Sequence, residues 1–327
     1  MDEFLNGPEA GGGPPGGARC WGIPLVVTAA LSTALLTTTL THAAEPAPRR
    51  DAPASPAPSV TEVNAGEGWT AKAAAAYWTP QRMAAATPET SKGATPTSAA
   101  ELKGNKASYF RGTSTVGTFF YEKNGKHRFC SGSVINSPRK DVALTAAHCT
   151  YGSTKSAFIP KYNGAAKTKA PYGYFPVNSW FRDKYNPKNN RTSSYDYAFA
   201  RLGTNSKGKR VQQATKAALT LAAAKGFQHK VTVMGYPNYQ HNKKGRPIFC
   251  RTSTQKLTGY QQMRMSCAGF YGGTSGSPWV VGYNKRTGTG RVIGSLGGLG
   301  KGGPHHRISY APAFGKFAFT LFRAAKK

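Results

Sequence analysis

Serine, histidine and aspartate carry out nucleophilic acyl chemistry when a base can take the hydroxyl proton and fixed donors can hold the oxyanion that results. The stretch Gly272-Gly273-Thr274-Ser275-Gly276-Ser277-Pro278-Trp279 has the composition such a nucleophile needs. Glycines on both sides of Ser275 carry no Cβ, so the backbone can turn tightly and aim successive N–H groups at one point. Pro278 and the apolar Trp279-Val280-Val281 then lead into a buried strand. Taken alone the stretch fits a plain loop equally well, so its meaning depends on partners elsewhere in the chain.

A base stands at His148. Val142-Ala143-Leu144-Thr145-Ala146-Ala147-His148-Cys149 reads as a buried apolar strand ending in small residues, which leave space around a ring at its tip. The acid follows almost by elimination. Nine of the thirteen acidic residues lie in 1–106, leaving Glu122, Asp141, Asp183 and Asp196. Asp183, between Arg182 and Lys184, reads as a surface ion pair, and Asp141, after Arg139-Lys140, as a turn residue. Asp196 opens the alternating segment Asp196–Leu202, which would half-bury its carboxylate. A buried carboxylate needs a partner, and an imidazole N–H suits it.

The order is therefore His148, Asp196, Ser275. No acidic residue follows Ser275, which excludes the Ser-Asp-His order of α/β-hydrolases, and Ser277 breaks their G-x-S-x-G elbow. An Asp141-His148-Ser275 order of the subtilisin kind expects the serine to open a helix, whereas Pro278 and the β-branched residues after it point to a strand.

Thr145-Ala146-Ala147-His148-Cys149, Asp196-Tyr197-Ala198 and Gly273-Thr274-Ser275-Gly276-Ser277-Pro278 together resemble a chymotrypsin-fold (trypsin-like) secreted bacterial serine peptidase. The Gly-x-Ser-Gly-Ser-Pro form is most similar to the glutamyl endopeptidase branch. The resemblance spans residues 107–327. It implies an all-β fold of two six-stranded Greek-key barrels with a C-terminal helix. It also implies His148 as general base, Asp196 as its orienting acid, Ser275 as nucleophile, and the N–H groups of Gly273 and Ser275 as oxyanion hole.

For substrate binding, the resemblance places Gly269, Phe270 and Tyr271 on one wall of the primary pocket and Ser295, Leu296 and Gly297 on the other. Neither wall carries an acidic residue, which argues against a choice of Lys or Arg. Glutamyl endopeptidases hold a histidine where this chain has Gly294, so neutral or apolar residues are the expected preference, although His305 and His306 lie nearby in sequence. Thr274 occupies the position of the aspartate that pairs with a new N-terminus in animal trypsin-like enzymes. Activation by removal of a pro-segment is expected instead.

The elements that must position these residues read as short strands between Gly, Asn and Pro turns. They are expected at 116–121, 127–135, 142–147, 195–202, 231–236, 247–254, 278–283 and 290–296. The final stretch, Pro312–Phe322, spaces phenylalanines as an amphipathic helix would, and is expected to pack on the second barrel. Residues 1–43 read as a secretory signal peptide cleaved after Ala43. Residues 44–106, rich in Ala, Pro, Thr and Ser, read as a largely disordered pro-segment or linker, with an island at Gly68–Trp78 able to dock on the enzyme. Residues 107–327 form the peptidase domain.

Cys20 departs with the signal, leaving Cys130, Cys149, Cys250 and Cys267. Secretion favours disulfides, and four cysteines allow three pairings. The resemblance implies Cys130 with Cys149, closing the histidine loop, and so Cys250 with Cys267. No C-x-x-C or paired-histidine spacing suggests a metal, and no cofactor is expected.

The formal charge is +31. The peptidase part holds 36 lysines and arginines against four acids, spread without a compact motif. That distribution and a secreted location disfavour nucleic acid, and the expected partners are protein or peptide substrates and anionic cell-wall polymers. A monomer with no membrane span after signal removal is expected, localised outside the cell. The competing reading is a catalytically silent peptidase fold that binds polyanions or cell wall.

Overall fold

Short β-prone runs broken by Gly-, Asn- and Pro-containing turns fold into two sheets. The computed structural model describes residues 60–64, 68–89 and 105–327. The expected signal peptide lies outside them. The described chain opens with β1 (Thr61–Asn64), α1 (Ala71–Tyr77), α2 (Pro80–Ala85) and β2 (Thr87–Pro88), then β3 (Asn105–Lys106) and β4 (Ser108–Tyr109). Six strands follow: β5 (Val116–Lys123), β6 (Lys126–Ile135), β7 (Val142–Thr145), β8 (Thr154–Pro160), β9 (Phe175–Arg182) and β10 (Ala198–Leu202). Their pairing runs β5-β6-β7-β10-β9-β8 and returns to β5, which closes a six-stranded barrel. Phe119, Val134, Phe158, Phe175, Val177 and Leu202 fill it.

After α3 (Val211–Thr215) and β11 (Thr220–Leu221) come β12 (Lys230–Gly235), β13 (Ile248–Lys256), β14 (Gln262–Ala268), β15 (Pro278–Asn284), β16 (Thr289–Ser295) and β17 (Ile308–Pro312). They form the second sheet in the order β16-β15-β12-β13-β14-β17 around a core that includes Val233, Met263, Met265, Trp279 and Ile293. Its two ends are joined by single backbone bonds, Phe314 N–H to Ile293 O (2.9 Å) and Gly297 N–H to Tyr310 O (3.0 Å), and among the described residues no full ladder closes it. The fold is that of a chymotrypsin-like two-sheet protein.

The C-terminal helix α4 (Lys316–Ala325) forms, but it packs on β9 and β10 of the first barrel, which corrects the expectation that it would cover the second. Phe322 meets Phe199 at 5.5 Å between ring centroids. The Arg201 guanidinium also reaches the carbonyls of Ala324 and Ala325 at the helix end (3.3 and 3.4 Å). A cation at the C-terminal carbonyls of a helix is favourable, and β10 supplies it.

Residues 68–89 lie across the first barrel as a strap. Thr70 and Thr79 cap α1 and α2, accepting the N–H groups of Ala73 and Arg82 (3.2 Å each), and Pro80 suits the first turn of α2. Ala74, Trp78 and Met83 are fully buried in the barrel's outer core with Phe120 and Phe129. Both indole N–H groups are used: Trp69 donates to Ser156 O (2.7 Å) and Trp78 to Lys155 O (2.8 Å). β1 adds antiparallel to β9, and β2 adds parallel to β6.

Candidate active site

β7 and β10 are antiparallel neighbours with Ala198 opposite Thr145, so the residues just beyond β7 meet those just before β10. His148 sits in a single 3-10 turn, Ala147–Cys149, and Asp196 closes a second, Thr192–Tyr195. Asp196 therefore precedes its strand by two residues. Its carboxylate is fully buried. Oδ2 is 2.8 Å and Oδ1 3.0 Å from His148 Nδ1; Oδ1 also accepts the His148 N–H (2.9 Å), and Oδ2 the Gly298 N–H (2.7 Å). A carboxylate so placed can only accept, so Nδ1 carries the ring proton and Nε2 is left with its lone pair.

Of the other acids, Asp141 pairs with Arg139 Nε (2.9 Å) and Glu122 with Lys155 (3.1 Å). Asp183 is buried, not at the surface, and its Oδ1 accepts the Lys184 N–H (2.6 Å).

Ser275 lies in the loop entering β15. Leu296 brackets that loop, donating its N–H to Ser277 O and accepting the Gly276 N–H (2.8 Å each). The first barrel grips it too: the Ser131 N–H donates to Gly273 O (3.0 Å) and Ser275 O (2.8 Å). Gly276, at φ +85°, lies so close to the end of β7 that a Cβ would stand 3.1 Å from Ala146 N and closer still to Ser131 O and Thr145 Oγ1. The serine loop is thus pressed against the strand that ends at His148. Ser275 Oγ and His148 Nε2 are both buried, and among the described residues neither makes a hydrogen bond. Catalytic contacts of this kind often tighten only when substrate binds.

The N–H groups of the loop divide in a telling way. Thr274 donates to Tyr271 O (3.2 Å), Gly276 to Leu296 O and Ser277 to Thr274 O (3.0 Å), whereas the Gly273 and Ser275 N–H groups have no acceptor among the described residues. Gly273 adopts φ +92°, where a Cβ would collide with the Phe129 ring and stand 2.8 Å from Tyr236 O. Only glycine fits there. Thr274, at the position of the absent aspartate, is buried and turns its hydroxyl back to Tyr271 O (2.7 Å).

Phe270 is wholly buried in the second core, so its side chain packs inward. Tyr271 is half-buried and stacked between His241 (3.7 Å) and His306 (4.2 Å). Ser295 and Leu296 are buried, and Gly297 lies against Asp196, where a Cβ would be 2.7 Å from Oδ2. At Gly294 a Cβ would come within 2.9 Å of Pro312 O, so no histidine fits there. His306 Nδ1 accepts the Gly269 N–H (3.3 Å). Burial first, then the charges of Arg307, His305 and His241, holds its pKa below the ordinary histidine value. The disulfides join Cys130 to Cys149 and Cys250 to Cys267.

Sequence reasoning missed Ser131, His241 and Tyr185, and it placed Gly298 on the pocket wall without its bond to Asp196. The Tyr185 ring lies 6.0 Å from that of His148, with its hydroxyl on Gly298 O (2.9 Å). Burial and the Asp196 charge push that phenol's pKa up.

Residues 105–313 match the family model described as Trypsin, and the chain belongs to the trypsin family. It is a serine endopeptidase by class, a hydrolase acting on protein or peptide substrates. No curated protein matches the chain. The structure is similar to protease Anisep from Arthrobacter nicotinovorans (21% identity, TM-score 0.56, covering 67% of this chain and 99% of that one). It is also similar to a Glu endopeptidase (17%, 0.50, 68% and 97%) and to an inactivated protease paralogue of the scabies mite (15%, 0.51, 68% and 99%). At these identities the likeness concerns the fold, which active and inactivated proteins hold alike. Two disulfides fit an oxidising, extracellular setting. Among the described residues no helix is long and apolar enough to cross a membrane.

Proposed function

We propose that the chain is a secreted endopeptidase that cuts through a His148-Asp196-Ser275 triad and an acyl-enzyme. The observation that carries this reading is the buried Asp196–His148 pair beside a serine loop whose Gly273 and Ser275 N–H groups have no acceptor among the described residues. Nε2 takes the Ser275 proton as Oγ attacks the carbonyl carbon, and Asp196 stabilises the imidazolium that forms. The two N–H groups hold the oxyanion, each worth about 3 kcal/mol in a water-excluded site. Collapse breaks the C–N bond as His148 returns the proton to the leaving amine. Water then repeats the sequence on the ester.

A preference for neutral or apolar residues before the cut fits a pocket whose named walls, 269–271 and 295–297, contribute no charged side chain. Synthesis with signal peptide 1–43 and pro-segment 44–106, activation by removal of that segment, action as a monomer and attraction to anionic cell-wall polymers complete the proposal.

The test is cleavage of a mixed peptide library by the parent and by Ser275→Ala. Turnover is expected to fall about a millionfold in the variant, as when a triad serine is lost elsewhere, with its melting temperature kept. Equal cleavage by both would remove the triad, and the residue before each cut reads the pocket.

A further inference from the structure

We propose that Thr87, Pro88 and Glu89 occupy, in cis, the strand edge that the leaving-group half of a substrate would use, so that the intact chain accepts short leaving groups and excludes long ones. The inference rests on the acyl-transfer reading of Ser275 and extends it to the far side of the scissile bond.

β5 pairs with one edge of β6 along its whole length, from Val116 opposite Ser133 to Lys123 opposite Lys126. β7 covers the other edge only at Ser133–Ile135. Below that point the same outer edge does two things. At Ser131 its N–H holds the carbonyls of Gly273 and Ser275. Two residues away, Phe129 is in register with Pro88, and Arg128 with Thr87. Backbone groups two apart on a strand face the same way and lie about 6.6 Å from each other. The occupied edge therefore begins about one dipeptide from the serine loop.

The direction of the leaving chain follows from proton transfer. His148 must reach the leaving amine, so that half of the substrate departs on the His148 side of Ser275. There Cys149, next to His148, is bonded to Cys130, which stands between Phe129 and Ser131 on β6. A chain passing the disulfide meets the β6 edge, where an extended peptide would add as a strand. The acyl half has the opposite path, along Ser295–Gly297. Residues 84–89 and Asn238–Gln240 enclose a cleft that Arg128 also lines. The Asn238 N–H donates to Gly272 O (2.8 Å), so this cleft borders the serine loop.

The blocking contact is shallow where it covers the edge and firm where it is anchored. Thr87 is exposed, and Pro88 has no N–H to give the ladder. Arg128 Nη1 donates to Thr87 Oγ1 (2.8 Å) and Pro88 O (3.1 Å), and Lys123 Nζ meets Glu89 at 2.6 Å. Upstream, Trp78 and Met83 are fully buried. Residues 87–89 can peel away while the strap stays in place.

The experiment uses the full chain and its Thr87→Ala/Glu89→Lys variant, which removes the Thr87 hydroxyl's bonds to Arg128 and His127 and sets two lysines against each other in place of the Lys123–Glu89 pair. Two substrates share one acyl half: an ester with a single small leaving group, and a quenched peptide extending four residues past the cut. Rates are counted per active site from the ester burst, so a partly misfolded preparation does not distort them. The variant is expected to raise kcat/KM for the long peptide about tenfold, as for an edge otherwise free one-tenth of the time, and to leave the ester unchanged. Glu89→Gln should shift the long peptide the same way, by less. An unchanged ratio of long to short substrate in both variants would overturn the proposal, and so would an equal rise on both substrates. No burst from any chain would remove the serine assignment itself, and the inference with it.

Discussion

Ser131 holds the Ser275 loop without belonging to the proposed triad. Its Oγ donates to Gly273 O (3.0 Å) and accepts the Tyr236 N–H (2.8 Å), beside the two bonds from its N–H. Ser131→Ala leaves the Tyr236 N–H buried without an acceptor, a cost of about 1–3 kcal/mol. Thermal unfolding should register that loss, and kcat should fall about tenfold for each 1.4 kcal/mol that reaches the oxyanion donors. Asp196→Asn should cost about 10⁴ in kcat, because an amide can force the wrong imidazole tautomer. His306 supplies a pH dependence. It accepts the Gly269 N–H only while Nδ1 is unprotonated, and its folded pKa lies below the ordinary 6.5. The unfolded chain then binds the proton more readily, so this residue's stabilising contribution is whole above that value and is withdrawn as pH falls through it towards the folded pKa. Melting temperature measured between about pH 7.5 and 5 should drop for the parent and drop less for His306→Gln. The three candidate residues of the proposed triad were legible because they carry distinctive side chains at spaced positions. The roles of Ser131 and Gly298 were not, since a serine hydroxyl and backbone N–H groups are common to many positions and only the folded chain sets where they point.

Elements were legible in proportion to how cleanly their residues alternate or run apolar. Eight of the expected strands overlap β5, β6, β7, β10, β12, β13, β15 and β16. The others, among them β8, β9, β14 and β17, were missed. β9 carries Pro176 and Asn178, β14 carries Gln262 and Arg264, and β8 begins with Thr154 and Lys155. A barrel strand with one wet face tolerates such residues, and its partners compensate. The helix α4 was readable from its phenylalanines, but not its destination, because Arg201, 115 residues before its start, selects the surface it covers. The strap makes its own prediction. Trp78 buries its whole side chain and donates to Lys155 O, so Trp78→Ala should cost about 3–5 kcal/mol, seen as a lowered denaturant midpoint of the full chain.

At the scale of the whole molecule, 36 basic residues face four acids in 107–327, and three of those four carboxylates are buried. The outer field is therefore almost wholly positive, and encounter with acidic protein substrates should be steered by it. Raising salt from about 50 to 200 mM should lower kcat/KM for an acidic protein while leaving a neutral ester untouched. The charge was plain in the sequence, whereas the joining of the two sheets at the site was not. Asp196 comes from the first barrel and is held by Gly298 N–H, beyond the end of β16; the Ser275 loop enters β15 and is held by Ser131 on β6. Each disulfide stays within one half, so neither ties the halves together. Turnover is then a property that neither half possesses alone. A chain severed at the exposed Lys207-Gly208 turn should yield two inert fragments whose mixing restores ester hydrolysis with second-order kinetics, making the enzyme a reporter of its own reassembly.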